Sequence, residues 1–193
     1  AMSASAEGAN FQAQYFSGLR QRGLFEIAET YGREQLGRND LVFEERLELT
    51  LELARTLADH AVHSAQPNQQ SLLWTEARET LDRLISTDPP QVLQLQFQAA
   101  DLDAMQGRSL RYQVQLSPYD QVLRESATQL LKKSITGFHE LQQLAQQKLE
   151  AIQQTNDLSS PYTKPQLNGL ELQAKQREAA VLVDLGMVLP DQS

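Results

Sequence analysis

Apolar residues recur at intervals of three and four along most of the chain, and this spacing predicts a succession of helices. The first predicted helix carries Phe11, Tyr15, Phe16 and Leu19, and Gly23 separates it from a second helix that Gly37 ends. Further helices are predicted over about 39–65, 70–86, 89–106, 119–156 and 166–189. We therefore predict an all-α fold.

One short stretch departs from helical spacing. In "SLRYQVQL", Leu110, Tyr112, Val114 and Leu116 alternate with polar residues, which is a strand pattern. No second convincing strand is available to pair with it. We expect residues 108–117 to be an irregular or extended connection, or a continuation of the preceding helix.

The longest predicted helix has a heptad seam. Leu131, Phe138, Ala145 and Ile152 are spaced seven residues apart, and Gln pairs lie between them. The natural partner of this helix is the last one, which follows the loop "DLSSPYTKP". Residues 118–189 are therefore predicted to form a long helical hairpin.

A set of apolar positions repeats along the chain with identical internal spacing. The three copies are Leu24, Ala28 and Leu36; Leu73, Ala77 and Ile85; and Leu123, Ala127 and Ile135. Their offsets are 49 and 50 residues. This recurrence favours an internal helical repeat, with chance alignment in a Leu-rich helical chain as the alternative.

The stretch "GLFEIAETYGREQL" resembles the second half of a tetratricopeptide (TPR) repeat, with an aromatic residue at Phe25 followed by the small Ala28. The fourth helix is similar, since Trp74, Ala77 and Leu81 precede a proline at position 89. The repeat length near 50 departs from the usual 34 residues of the family. Phe16 stands where such repeats have a small residue, and Gly32 where they have a large apolar one.

The resemblance covers about residues 10–107 and implies a TPR-like array of antiparallel helical pairs, a right-handed α-solenoid. It also implies the N-terminal portion of a larger bacterial repeat protein. The full predicted organisation is a disordered N-terminus over 1–9, the array over 10–107, the connection over 108–117, the hairpin over 118–189 and a tail over 190–193. Ala1 before Met2 suggests a remnant of cloning, and the C-terminus is likewise expected to be artificial.

Composition narrows the classes of partner. The formal charge of −8 and the pI near 4.9 argue against nucleic-acid binding, which requires clustered Lys and Arg. No run of about 18 apolar residues is present, so direct membrane insertion is not expected. Without cysteine the chain has no thiol nucleophile or thiolate metal site, and the cellular compartment, cytoplasmic or exported, stays open.

Candidate chemistry is sparse. His60 and His63 are three residues apart and could bridge a metal, but a cation near a helix C-terminus is the simpler reading. There is no Gly-rich phosphate loop, Ser elbow or Asp-rich calcium loop. We therefore predict no catalytic residue, cofactor or metal, and no enzyme activity from this chain.

Four residues are candidates for an interaction site. Glu44, Glu48 and Glu52 align along one helix as an acidic stripe, with a solvated helix face as the alternative. Trp74 could be an exposed aromatic anchor, with core packing as the alternative.

These features favour a protein-interaction or scaffolding module of a larger protein, binding an unidentified protein or peptide. One alternative is an oligomerisation or cell-envelope structural element in which the long helix mediates homo-oligomer formation. Another is a regulatory segment of an enzyme whose catalytic domain lies elsewhere.

Overall fold

The computed structural model describes residues 2–87, 89–155 and 160–189, with side chains over 11–87, 89–154 and 160–189. This part of the chain contains seven helices and no strand, which confirms the predicted all-α class. It divides into two compact units, Ala1–Thr87 and Asp88–Ser193.

The first unit contains α1 (Met2–Gln21), α2 (Phe25–Leu36), α3 (Phe43–His63) and α4 (Pro67–Ile85). Helix α3 packs against each of the other three, and α1 also packs against α2. Successive helices run antiparallel across short connections, so α1 lies parallel to α3. The start of α3 consequently meets the ends of both α2 and α4.

Gly23 ends α1 because it adopts a positive φ of 69°, which a residue with a side chain rarely adopts. The Leu24 N–H donates to the Leu19 carbonyl at 3.0 Å, and the Gly23 N–H donates to the Arg20 carbonyl at 3.0 Å. This pair of bonds is a Schellman motif, which stops a helix and reverses the chain.

The core of the first unit shows a match between one large and one small residue. Phe16, Leu19, Ala28 and Leu49 form a buried cluster. A Cβ added to Gly32 would lie 3.3 Å from Cζ of Phe16 and 3.2 Å from Cδ1 of Leu53. The Phe16 ring therefore fills space that Gly32 leaves empty.

The second unit is a bundle of α5 (Val92–Leu116), α6 (Gln121–Thr155) and α7 (Lys164–Val188), with α6 packed along both other helices. Each helix presents apolar or small residues seven apart to a common core. These are Leu93, Ala100, Gly107 and Val114 on α5; Leu131, Phe138 and Ala145 on α6; and Leu167, Ala174, Val181 and Val188 on α7. The heptad seam predicted for α6 is thus one third of a coiled-coil-like bundle.

Polar groups fix the ends of these helices. The hydroxyl of Tyr162, in the segment before α7, accepts a hydrogen bond from the Leu93 N–H at 2.9 Å. It therefore caps an otherwise unsatisfied donor at the start of α5. Thr163 and Gln166 form a reciprocal capping box that starts α7.

The stretch 108–116 continues α5, which is one of the predicted alternatives, because Leu110 and Val114, one helical turn apart, both contact the bundle core. Two other predicted boundaries differ from the structure. Residues 2–9, predicted to be disordered, belong to α1. The division between units follows Thr87 rather than residue 107, because α5 packs with α6 and α7. The predicted tail over 190–193 lies outside the described residues.

Candidate functional site

The acidic stripe predicted on α3 does not form one exposed surface. Glu44 is exposed, but Glu52 is only 6% exposed. Its carboxylate accepts hydrogen bonds from the guanidinium groups of Arg20 at 2.6 Å and Arg55 at 2.9 Å. Part of the predicted acidic stripe is therefore buried and ion-paired, and it is not available to a binding partner.

The exposure of Glu48 is intermediate between that of Glu44 and that of Glu52. Glu48 is half-buried, and burial raises the pKa of its carboxyl, with the negative charges of Glu52 and Glu45 raising it further. Within the described part of the chain, no cation pairs with Glu48 to favour its charged form.

Trp74 is 8% exposed, so little of its ring surface is open to a partner. This burial corresponds to the core-packing alternative rather than to an exposed aromatic anchor. Ala28, Ala77 and Ala127, the central residues of the three repeat copies, are all fully buried.

The two adjacent histidines pack on one aromatic ring. The rings of His60 and His63 both lie 5.2 Å, centroid to centroid, from that of Phe25. His60 Nδ1 lies 2.6 Å from a carboxylate oxygen of Glu29, and His63 Nδ1 lies 2.7 Å from the Asp59 carbonyl. No group of three or more metal-binding side chains occurs within the described residues.

Glu29 extends this contact into a polar network across the first unit. It accepts a hydrogen bond from Arg33 at 3.1 Å, and Arg33 in turn donates to both carboxylate oxygens of Glu76 at 2.6 and 2.9 Å. The bonds connect α2 with α3 and α4. Because Glu29 is buried, its charge needs these partners, and the network is a structural element of the unit.

Helix α7 is apolar on two opposite sides. Its inward side contributes Val181 and Val188 to the bundle core. Its outward side, here the outer α7 face, consists of Leu172, Ala179, Ala180, Leu182, Val183, Gly186, Met187 and Leu189, all of which are exposed. Leu182, Val183 and Met187 are 51%, 59% and 56% exposed.

The single acidic residue within 179–189 turns away from this face. Asp184 is buried and pairs with Arg108 at 2.8 Å and with Arg111 at 3.5 Å. The outer α7 face therefore carries no charged side chain over its last three turns. The run "AAVLVDLGMVL" is the sequence signal for this surface, since a helix covered on only one side does not need apolar residues all around.

The long helix α6 differs in this respect. Its exposed positions between 129 and 154 are mainly polar, with Lys132, Lys133, Glu140, Gln143 and Gln147 among them. The contact surface for homo-oligomer formation that was predicted on the long helix is therefore not apolar. Exposed apolar side chains of this unit lie on the outer α7 face and also around the end of α5 and the start of α6, where Leu116 and Val122 are exposed.

The first unit also contains a hollow of about 340 Å³ between the start of α3 and the ends of α2 and α4. It is lined by Leu36, Arg46, Thr50, Thr80, Arg83, Leu84 and Thr87. These residues come from separate parts of the chain, so no sequence motif predicts the hollow.

Among the described helices, none combines the length and the apolar character needed to cross a membrane. Compared with protein-family models, curated proteins and solved structures, the chain shows no significant match.

Proposed function

We propose that the chain is a non-enzymatic protein-interaction or scaffolding module, and that the outer α7 face is its docking surface. The occupant we propose is an amphipathic helix of a partner protein with basic residues beside its apolar positions. The observation that carries the proposal is the apolar, uncharged surface that the outward side of α7 presents over residues 179–189.

The size of this face supports a docking role. Its five large apolar side chains are each about half exposed and together present roughly 450 Å². An apolar patch of this size on a monomer is often functional. Ala179, Ala180 and Gly186 lie among the large residues, so a second helix can approach closely.

The shape of the face favours a helix as its occupant. The second unit already packs helices by heptad spacing, and a fourth helix laid along α7 would repeat the same packing. Apolar residues spaced three and four apart on the partner would contact Leu172, Val183 and Met187 along one line.

Charge favours another protein over a second copy. Two copies, each with a net charge of −8, repel each other, whereas a basic helix is attracted.

We further propose that α1–α4 are two stacked helical pairs of the TPR-like type. Supporting this are the antiparallel pairs, the contacts of α3 with α1 and α2, and the buried Ala28 and Ala77 at matching positions. The contact of Phe16 with Gly32 also supports it, because the two departures from the family pattern compensate each other in volume. A crystal structure in which α1–α2 and α3–α4 do not superpose as successive pairs would contradict this arrangement.

The docking proposal can be tested with a helical peptide of about three heptads that has Leu at positions a and d and Lys at e and g. Its binding to the full chain is measured by fluorescence anisotropy. A second peptide with Glu in place of Lys tests the charge preference. We expect the Lys peptide to bind and the Glu peptide to bind more weakly.

Two double variants provide the matched comparison. Leu182→Gln with Met187→Gln alters the outer α7 face, and Leu116→Gln with Val122→Gln alters exposed apolar residues elsewhere in the same unit. The first should weaken binding of the Lys peptide at least about tenfold, since it removes two central apolar contacts. The second should leave binding unchanged.

Three outcomes would overturn the proposal. They are no binding of the Lys peptide to the folded chain, equal binding by the two double variants, and equal binding of the two peptides. Sedimentation adds a further check, because a concentration-dependent dimer that the α7 variant abolishes would assign this face to a second copy.

A further inference from the structure

We infer that the hollow in the first unit, here the Arg46–Arg83 hollow, is a binding site for a small organic molecule that carries a phosphate group. This site is separate from the outer α7 face and does not depend on the docking proposal. Its two arginines, with Thr50 and Thr80, would hold the phosphate, and its leucines would contact the apolar part of the ligand.

The two guanidinium groups have no acidic partner among the described residues. Arg46 donates only to backbone carbonyls, at 3.4 Å to Leu36 and at 3.3 Å to Arg38. Arg83 forms no side-chain hydrogen bond or ion pair within the described part of the chain. Several of the other arginines in the first unit, including Arg20 and Arg33, pair with carboxylates.

This lack of carboxylate partners is notable in a chain with a net charge of −8. Two cations at one concave surface create a locally positive site, which concave geometry strengthens by excluding part of the solvent. An anion placed between them would complete the charge pairing that the described residues do not supply.

The hydroxyl groups add directed hydrogen bonds. Thr50 is 3% exposed and lines the hollow beside Arg46, one helical turn earlier on α3. Thr50 and Thr80 both line the hollow, so their hydroxyl groups can donate to a ligand there. The planar fork of an arginine matches two oxygens of a phosphate, and hydroxyl groups donate to the remaining oxygen.

The apolar wall of the hollow indicates that the ligand has an apolar part besides its phosphate. Leu36 and Leu84 line the same hollow. A volume of about 340 Å³ exceeds the needs of a bare phosphate and lies at the small end of sites for organic ligands. The combination of a polar end and an apolar wall fits a small phosphate monoester.

The test uses three probes that separate the two parts of such a ligand. Phenyl phosphate carries both parts, inorganic phosphate carries only the anion, and phenol carries only the ring. Binding to the full chain is measured by isothermal titration calorimetry. We expect phenyl phosphate to bind about tenfold or more tightly than either partial probe.

Variants assign the binding to the hollow. Arg83→Gln should weaken phenyl phosphate binding at least about tenfold and should still fold, because Arg83 is exposed and has no internal partner among the described residues. Arg46→Gln should have a similar effect. Arg22→Gln removes the same charge from an exposed position outside the hollow and should leave binding unchanged.

Circular dichroism establishes that each variant is folded. No detectable binding of phenyl phosphate to the folded wild-type chain would overturn the inference. So would equal weakening by Arg22→Gln and Arg83→Gln, which would indicate a general charge effect. Binding as tight for inorganic phosphate as for phenyl phosphate would reject the apolar wall and thus the organic ligand.

Discussion

Replacing Gly107 with alanine tests how closely α5 and α6 approach each other. A Cβ at this position would lie 2.9 Å from Cγ and Cδ2 of Leu131 and 3.2 Å from its backbone nitrogen. Leu131 is fully buried in the seam, so its side chain cannot move into solvent. The added methyl group must therefore push the two helices apart or force Leu131 out of its preferred rotamer.

The expected magnitude has two opposing parts. Alanine stabilises a helix interior by about 1 kcal/mol relative to glycine. Overpacking a well-packed core costs about 1–3 kcal/mol. Gly169 in α7 provides a matched control, because a Cβ there would meet nothing within 4 Å. Gly169→Ala should receive the helix-propensity gain without the cost.

The difference between the two variants isolates the packing cost. We expect the free energy of unfolding of Gly107→Ala to be about 1–3 kcal/mol lower than that of Gly169→Ala. Urea denaturation of the full chain, followed by circular dichroism, measures this difference. Amide hydrogen exchange in α5 and α6 assigns it to the second unit. An equal gain in stability for both variants would refute the close approach of the helices.

Two further predictions concern buried polar groups. Tyr162→Phe removes the acceptor for the Leu93 N–H and should lower the free energy of unfolding by about 1–2 kcal/mol at pH 7, measured by urea denaturation. Burial raises the pKa of Tyr162 from 10.0 to about 12, so the unfolded state loses this proton first as the pH rises. Wild-type stability should therefore fall between pH 10 and 12 by up to about 1.4 kcal/mol per pH unit, a component that Tyr162→Phe lacks. Parallel alkaline curves for the two proteins would contradict this. Because burial and the charges of Glu52 and Glu45 raise the pKa of Glu48, its ionised form is less favourable in the folded state. Glu48→Gln should be more stable than wild type at pH 7, and its advantage should disappear as the pH falls below the ordinary carboxyl pKa of 4.5. Urea midpoints between pH 3 and 8 measure the effect, and a gain that does not vary with pH would exclude this cause.

Local sequence patterns determined most of the helices. Helix spacing, Gly23 and the seven-residue repeat through Leu131 and Phe138 depend only on residues close in the chain, so they can be read directly. The alternation through Leu110 and Val114 was ambiguous, because two residues four apart fit both a strand face and a helix face. Both side chains pack against the bundle core in the structure, which is possible here because the stretch is helical.

Of the candidate sites, one can be predicted from local sequence, and the others depend on contacts between helices that are distant in the chain. The outer α7 face can be predicted from the sequence once one side of α7 is known to be buried. The run "AAVLVDLGMVL" is apolar on both sides of the helix, so the side that is not buried must also be apolar. The burial of Glu52 depends on Arg20, which lies in another helix and has no fixed spacing from it. The Arg46–Arg83 hollow likewise exists only because antiparallel packing of α3 and α4 brings the start of one to the end of the other.

The sequence by itself thus determined the helical class and the heptad seam, because hydrophobic periodicity and glycine conformation act over a few residues. The tertiary structure alone decided which charged groups are paired, which apolar face stays uncovered and where cationic side chains converge. Those properties depend on distances between helices that are remote in the chain, and no local pattern encodes such distances.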